Sequence, residues 1–309
     1  MTFLIIFILL AAVILGGSYY AYRFVFYHKP LPTDPPYRLP EGDAYQKALP
    51  KLKIWAEAMY ARPFEPVTII SRDGLTLFGR YYHTADNAPL QIQCHGYKGS
   101  AFIDFCGGSA LAKTLGHNAL VIDQRAHGKS EGHTISFGIR ERLDCLSWIA
   151  YANERFGSQT PIILCGLSMG AASVLMASGE ELPANVKGIF ADCPYSSPKE
   201  IICKVGKDLH LPSALFYPFV RLGALLFGHF NLEETDAVRA VQRAKVPILL
   251  IHGEADTFVP CDMSRQIYKN CASDITFVTV PDAGHGLCYT VSPDIYKQAV
   301  TGFFDRILQ

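Results

Sequence analysis

Apolar positions along this chain change rhythm twice. Thr2 to Tyr22 is a nearly unbroken apolar run without a charge, long enough to cross a bilayer as one helix. Leu52, Trp55, Ala56 and Met59 then recur at helical spacing just after Pro50, which predicts a short helix with one apolar face. From Val67 onward, short apolar runs alternate with longer mixed stretches. Val67 to Ser71 and Leu75 to Tyr82 flank Asp73-Gly74 and predict a hairpin. Buried strands are predicted at Gln91 to Cys94, Asn118 to Asp123, Pro161 to Cys165, Val186 to Asp192, Val246 to His252 and Ile275 to Val280. Helices are predicted near Ser109 to Leu115 and over Ile139 to Phe156, Ala171 to Ser178 and Ser292 to Leu308. Apolar strands separated by helices imply an α/β class, with a mostly parallel sheet covered on both faces.

The alternation lapses between Cys193 and about Ala240. Pro212 to Phe230 is rich in aromatics and leucine, yet broken by Pro218, Arg221 and two glycines. A second membrane span is one reading. A small helical cap at about residues 194–240, its apolar underside lining a substrate pocket, fits the interruptions better.

At the N-terminus, a cleaved signal peptide competes with an uncleaved anchor. Nothing basic precedes the apolar run, and Ser18 is followed by Tyr19 and Tyr20, which suit an interfacial aromatic belt; the anchor is preferred. Arg23 and Lys29 flank the run, so the positive-inside rule puts the rest of the chain on the cytoplasmic side of the cell membrane. Lys29 to Pro40 is proline-rich and reads as a stiff spacer. The helix after it either packs on the domain edge, the preferred reading, or rests on lipid. The predicted division is a transmembrane anchor over 1–27, a linker with the packing helix over 28–62, and the main domain over 63–309.

Composition narrows the class. With 309 residues, 50% hydrophobic and 18% charged, the chain suits one large globular domain plus an appendage. Its formal net charge of zero supplies no global field toward nucleic acid, so no nucleic-acid partner is expected. The 9 cysteines are scattered without C-x-x-C spacing, which disfavours structural zinc and a disulfide framework and favours a reduced compartment. Cys94 and Cys165 lie inside apolar runs and read as small hydrophobes.

Candidate chemistry centres on Gly166-Leu167-Ser168-Met169-Gly170. It sits between a predicted strand and a small-residue helix, the strand–turn–helix setting of a nucleophile elbow. Side chains at the flanking glycines would clash with strand and helix. Gly128-Lys129-Ser130-Glu131-Gly132 matches the same pattern but follows no adjoining strand and opens no helix, so Ser130 reads as part of a polar loop. The same stretch resembles the end of a phosphate-binding loop, but Asp123 stands where that loop needs Gly. A serine nucleophile needs a base, and the base needs an acid to hold its tautomer. His285, in Gly284-His285-Gly286, follows the last predicted strand, and Asp256 follows Val246 to His252. Both fall past strand ends, where open parallel sheets place ligands. Asp192 competes with Asp256 for the acid role, and Asp282 is too near His285 in sequence. The two oxyanion donors are expected from the backbone N–H groups of Met169 and Tyr97, the latter in His95-Gly96-Tyr97-Lys98-Gly99-Ser100. His95 itself reads as a structural brace for that loop.

These pieces, with Ser71-Arg72-Asp73-Gly74, Asp123-Gln124-Arg125-Ala126-His127-Gly128-Lys129-Ser130-Glu131-Gly132 and His252-Gly253-Glu254-Ala255-Asp256, resemble the α/β-hydrolase superfamily. More narrowly, they are similar to Bem46-like or S9/S33 peptidase-like bacterial serine hydrolases, over roughly residues 63 to 309. The resemblance implies the α/β-hydrolase fold with an eight-stranded, mainly parallel sheet, a Ser-Asp-His triad, no metal and no cofactor. Ala126 departs from the pattern, since relatives commonly carry Gly there. A Ser rather than Asp nucleophile argues against haloalkane dehalogenase or epoxide hydrolase chemistry. The expected activity is cleavage of carboxylic esters or thioesters with apolar acyl groups through an acyl-enzyme (carboxylesterase-like, EC 3.1.1). A peptidase acting on short peptides and a catalytically silent binding protein are the alternatives.

Overall fold

The computed structural model describes residues 1–29 and 38–309. The spacer expected over Lys29 to Pro40 falls mostly outside the described residues. The chain opens with α1 (Thr2–Val25) and α2 (Leu49–Ala61), followed by β1 (Glu65–Ile70), β2 (Thr76–Tyr82) and β3 (Leu90–Cys94). Then come α3 (Ala101–Asp104), α4 (Cys106–Thr114), β4 (Asn118–Ile122), α5 (Glu141–Phe156), β5 (Ile162–Leu167), α6 (Met169–Ala177) and β6 (Val186–Asp192). Helices α7 (Pro198–Asp208), α8 (Ser213–Leu226) and α9 (Ala237–Val241) precede β7 (Ile248–Gly253), α10 (Cys261–Asn270), β8 (Ile275–Val280), α11 (Cys288–Val291) and α12 (Pro293–Ile307).

The eight strands form one sheet in the order β1-β2-β4-β3-β5-β6-β7-β8. Strand β2 runs antiparallel to both its neighbours, and the remaining pairs are parallel. Side chains of successive strand residues point to opposite faces, so each central strand feeds two cores. In β5, Ile162 and Leu164 join a core with Trp148 of α5 and Val174 of α6. Ile163 and Cys165 join the opposite core with α2, α4 and α12. Both cysteines expected to pack as small hydrophobes, Cys94 and Cys165, are buried, and all nine are free thiols. The helix after Pro50 buries Leu52, Ala56 and Met59 in the second core, while Trp55 stacks on Tyr289 at 4.9 Å.

A third core lies beyond the C-terminal ends of the strands. It joins Tyr22 and Phe26 of α1 to α7, α8 and the loop around Phe137. The segment read as a cap thus holds α7, α8 and the start of α9 between β6 and β7. Helix α1 is anchored into this core by more than packing. Tyr22 Oη lies 2.8 Å from Thr134 Oγ1, Ile135 N–H donates to the Phe26 carbonyl (2.8 Å), and Tyr97 Oη donates to the Val25 carbonyl (2.8 Å).

The loop after β4 ties the hairpin to the helical layer. Arg125 is buried and forks between two carboxylates, donating from Nε and Nη2 to Asp144 (2.7 Å each) and from Nη1 and Nη2 to Asp73 (2.8 and 3.0 Å). Such bidentate pairing suits the planar guanidinium. Its hydrogen bonds hold the Asp73 carboxyl well below the usual range. Ser130, the decoy serine, is buried and structural: its Oγ donates to the Asp123 carbonyl (2.5 Å) and accepts from Phe78 N–H (2.8 Å). Ala126 has φ 62°, the left-handed region that glycine enters freely, at the position where the family resemblance implies glycine.

Removing Arg125 leaves Asp144 buried without its cation. Arg125→Met is expected to lower stability by about 3–5 kcal/mol. The thermal midpoint of the purified protein in detergent checks this, and an unchanged midpoint would refute the account.

Candidate active site

The elbow is dictated by close approach. A Cβ on Gly170 would lie 1.8 Å from the Cys94 carbonyl oxygen, and one on Gly166 would lie 2.3 Å from the Gly170 carbonyl oxygen. Only glycine lets α6 start this close to β3. Between them Ser168 adopts φ 55°, ψ −115°, a conformation costly for an L-residue, and its N–H donates to the Asp192 carbonyl at 2.8 Å.

Strand β7 delivers Asp256 and β8 delivers His285 to the same rim. His285 Nε2 lies 2.9 Å from Ser168 Oγ, and His285 Nδ1 lies 2.7 Å from Asp256 Oδ2. An ionised carboxylate only accepts, so Nδ1–H donates to Asp256 and Nε2 is left to accept from the serine hydroxyl. Asp256 is held by more than His285. Its Oδ1 accepts from the N–H groups of Phe258 (2.9 Å) and Val259 (2.8 Å). His252 Nε2 lies 3.3 Å from Oδ2 and 2.8 Å from the Val259 carbonyl oxygen, while Ser264 Oγ meets its Nδ1 at 2.7 Å. Burial alone would push the Asp256 carboxyl up; hydrogen bonds from His252, His285 and Val259 N–H outweigh it and hold the group well below the usual range. Asp256 is therefore a carboxylate at any working pH.

Asp192, the competing acid, is directed elsewhere. Its Oδ2 accepts from Tyr296 Oη at 3.0 Å, and burial pushes its carboxyl up to about 6. Asp282 has positive φ at the turn before His285 and is exposed.

Met169 opens α6 and Tyr97 lies in the loop after β3. Neither backbone N–H donates to an acceptor of the chain among the described residues. Two buried histidines brace the Tyr97 loop. His95 Nε2 accepts from Gln124 N–H (3.0 Å), and His127 Nε2 accepts from Lys98 N–H (3.0 Å) while its Nδ1 donates to the Arg125 carbonyl (2.8 Å). Burial drives the pKa of His127 well down, so it stays neutral and can accept.

Two cavities share Ser168, Tyr97 and Phe258 in their walls. The smaller, about 320 Å³, also carries His285, Gln93, Asp104 and Asp192. Gln93 Oε1 and Asp192 Oδ1 are buried acceptors with no partner in the structure. The larger, about 730 Å³, is walled mostly by apolar residues, many of them on α1, α7 and α8. Cys193, Asp256 and His285 offer ligand atoms within 4.8 Å of one another, a set that could hold a cation. However, the Asp256 and His285 atoms already bond each other, and burial keeps the Cys193 thiol protonated.

The sequence profile described as "Alpha/beta hydrolase family" matches residues 94–299. The chain belongs to the alpha/beta hydrolase family. Relatives of this hydrolase include the uncharacterized protein YqkD of Bacillus subtilis, 25% identical over 229 residues that cover 73% of this chain and 75% of YqkD. Protein bem46 of Schizosaccharomyces pombe is 23% identical over 248 residues, covering 78% and 76% respectively. Among solved structures, the Pyrococcus furiosus esterase Pf2001 superposes with TM-score 0.65 at 23% identity, covering 91% of this chain and 98% of that one. The Pyrococcus horikoshii acylaminoacyl peptidase gives TM-score 0.59 at 18% identity, covering 79% of this chain and 42% of the peptidase. These likenesses establish the fold.

Sequence reasoning passed over several groups in this hydrolase's site. His252 was read only as the end of a strand, although a histidine at the C-terminal edge of a parallel strand is a usable signal. Asp104, whose Oδ2 accepts Gly96 N–H at 2.6 Å, lies in a stretch with no periodic pattern.

The raised pKa of Asp192 makes a pH-dependent expectation. A carboxyl whose folded-state pKa lies above its unfolded value stabilises fully below the unfolded pKa and loses that stability as pH rises toward about 6. Asp192→Asn mimics the neutral form and still accepts from Tyr296. Its gain in stability is expected to be small near pH 4 and to approach about 3 kcal/mol by pH 7. Thermal midpoints at both pH values test this; an equal shift at each would contradict it.

Proposed function

We propose that this alpha/beta hydrolase is a membrane-anchored serine hydrolase that cleaves carboxylic esters or thioesters with apolar acyl groups. The observation that carries the reading is the unbroken path from Ser168 Oγ through His285 to Asp256, at 2.9 and 2.7 Å. Ser168 Oγ attacks the acyl carbon while His285 Nε2 takes the hydroxyl proton. Asp256 keeps the imidazole in the required tautomer and offsets its charge. The carbonyl oxygen becomes an oxyanion facing the Tyr97 and Met169 amides, both without acceptors in the chain. When the intermediate collapses, the bond to the alcohol or thiol breaks and His285 returns its proton to that leaving group. Water, deprotonated by His285, then attacks the acyl-serine, releasing the carboxylic acid and restoring the serine hydroxyl.

The cavities support the substrate class. An acyl chain suits the larger apolar cavity, and the alcohol portion suits the smaller one, whose unpartnered Gln93 and Asp192 oxygens accept hydrogen bonds. The esterase Pf2001 among the structural neighbours agrees with this choice. The peptidase alternative wants a free charge to hold a peptide terminus. The larger cavity has no carboxylate in its wall and carries Arg23 and Lys98; in the smaller one Asp104 is engaged by Gly96 N–H and Asp192 Oδ2 by Tyr296 Oη, which leaves Asp192 Oδ1 open, so the preference for an ester rests on the apolar lining of the larger cavity.

The membrane assignment rests on α1, the one described helix long and apolar enough to cross a bilayer. Its C-terminal residues are part of the third core, which favours retention over cleavage as a signal peptide. Arg23 and Lys29 on its C-terminal flank favour the cytoplasmic side for the catalytic domain.

Two measurements test the reading. A fluorophosphonate probe is expected to label the wild type and not Ser168→Ala, whose kcat/KM on p-nitrophenyl esters should fall at least about 10⁴-fold. Absence of labelling on folded wild type would favour a silent binding protein. Faster turnover of aminoacyl anilides than of p-nitrophenyl esters would favour the peptidase.

A further inference from the structure

We infer that α1 is a wall of the acyl-binding site and that the substrate's chain enters sideways from the bilayer. The inference rests on the serine-hydrolase reading of Ser168.

The larger cavity begins at Ser168 and runs along α1. Residues from Val25 back to Val13 line it, a span of about 18 Å at 1.5 Å per residue. On its other side stand α7 and α8, through residues such as Ile202, Val205 and Phe219. Its volume of about 730 Å³ falls in the usual size range of small-molecule sites. Val13 is exposed on α1, so the distal end of the cavity opens at the helix's outward surface. The charged residues in its wall are Arg23 and Lys98, both cationic and without an ion-pair partner among the described residues, a lining that tolerates the carboxylate released on hydrolysis.

The helix length fixes where that opening sits. Helix α1 has 24 residues, and it meets α8 from Gly17 onward, where Gly17 abuts Phe219 and Gly223 abuts Ser18 and Tyr22. The free stretch before Gly17 is roughly 22 Å, shorter than the roughly 30 Å hydrocarbon core. A bilayer spanned by α1 therefore extends past Gly17 and up to α8. The cap agrees, since Leu209 and Leu211, which share the cavity wall with α1, are exposed, as are Tyr20 and Phe24 on α1 itself. Exposed apolar and aromatic side chains of this kind suit lipid contact rather than water. Val13 then lies inside the hydrocarbon. A lipid acyl chain can pass from the leaflet into the cavity with its ester end at Ser168, without its apolar length entering water.

The experiment uses the full chain in phosphatidylcholine vesicles. Ala21→Trp fills the cavity from α1 and Val205→Trp fills it from α7. The ratio of p-nitrophenyl palmitate to p-nitrophenyl acetate hydrolysis is expected to fall at least tenfold in each. Fluorophosphonate labelling of Ser168 reports folding and an active nucleophile in the same samples. Where a variant does not label, the wild type is probed directly with a palmitoyl ester bearing a terminal diazirine, whose crosslinks are expected on residues 13–25 and 201–211. An unchanged ratio in a labelled variant, or crosslinks that avoid both segments, overturns the inference while leaving Ser168 as the nucleophile. Failure of the wild type to label at all overturns the hydrolase reading instead.

Discussion

Ser168 holds a backbone conformation that costs an L-residue on the order of 1–3 kcal/mol, and the centre of the sheet is arranged to impose it. The N–H of Ser168 is bound by the Asp192 carbonyl on β6, and α6 begins against the end of β3 at a distance that excludes any side chain on Gly170. Four elements are thereby locked around one residue. The serine oxygen is lifted to the rim, the Met169 amide opens the helix beside it, and the loop after β3 is brought alongside.

The histidines divide into two kinds. His95, His127 and His252 are buried and act as hydrogen-bonding hardware: the first two hold the loop that carries Tyr97, and the third shares Asp256 with His285. Burial keeps His127 neutral, so it serves as an acceptor for backbone N–H. His285 stands in the wall of the smaller cavity, bonded on one side to a carboxylate and on the other to a hydroxyl. Position relative to solvent, not residue type, separates the braces from the histidine bonded to Ser168. Arg125 extends the bracing outward, because the carbonyl that orients His127 belongs to the residue fixed between Asp73 and Asp144.

A third core distinguishes this chain from a bare sheet with two helical layers. Tyr22 and Phe26 are as much a part of it as the residues of α7 and α8, and the Tyr97 side chain reaches the last turn of α1 while its backbone faces the site. The same residue thus joins the apolar N-terminal helix to the loop beside Ser168. A shift of α1 is mechanically connected to that loop through the Tyr97 hydroxyl and its ring, which lies tilted against Phe137 at 5.0 Å.

Local pattern carried the sequence a long way. Strands and helices follow from apolar rhythm: β6 and β8 lie where the pattern put them, while β5 and β7 run one or two residues past their predicted ends. Ser168, Asp256 and His285 were legible because each follows an apolar run, and a parallel sheet turns every such run into a strand whose far end meets the same rim. Short helices α3, α9 and α11 were not legible, being too brief to impose a period. What the chain could not announce locally was partnership. That Asp256 rather than Asp192 meets His285, that His252 backs the pair, and that α1 lines a cavity reaching Ser168 all depend on residues brought together across one sheet and a third core. Periodicity is a property of neighbours in the chain, whereas a hydrogen bond or a cavity wall is a property of neighbours in space, and only folding converts one into the other.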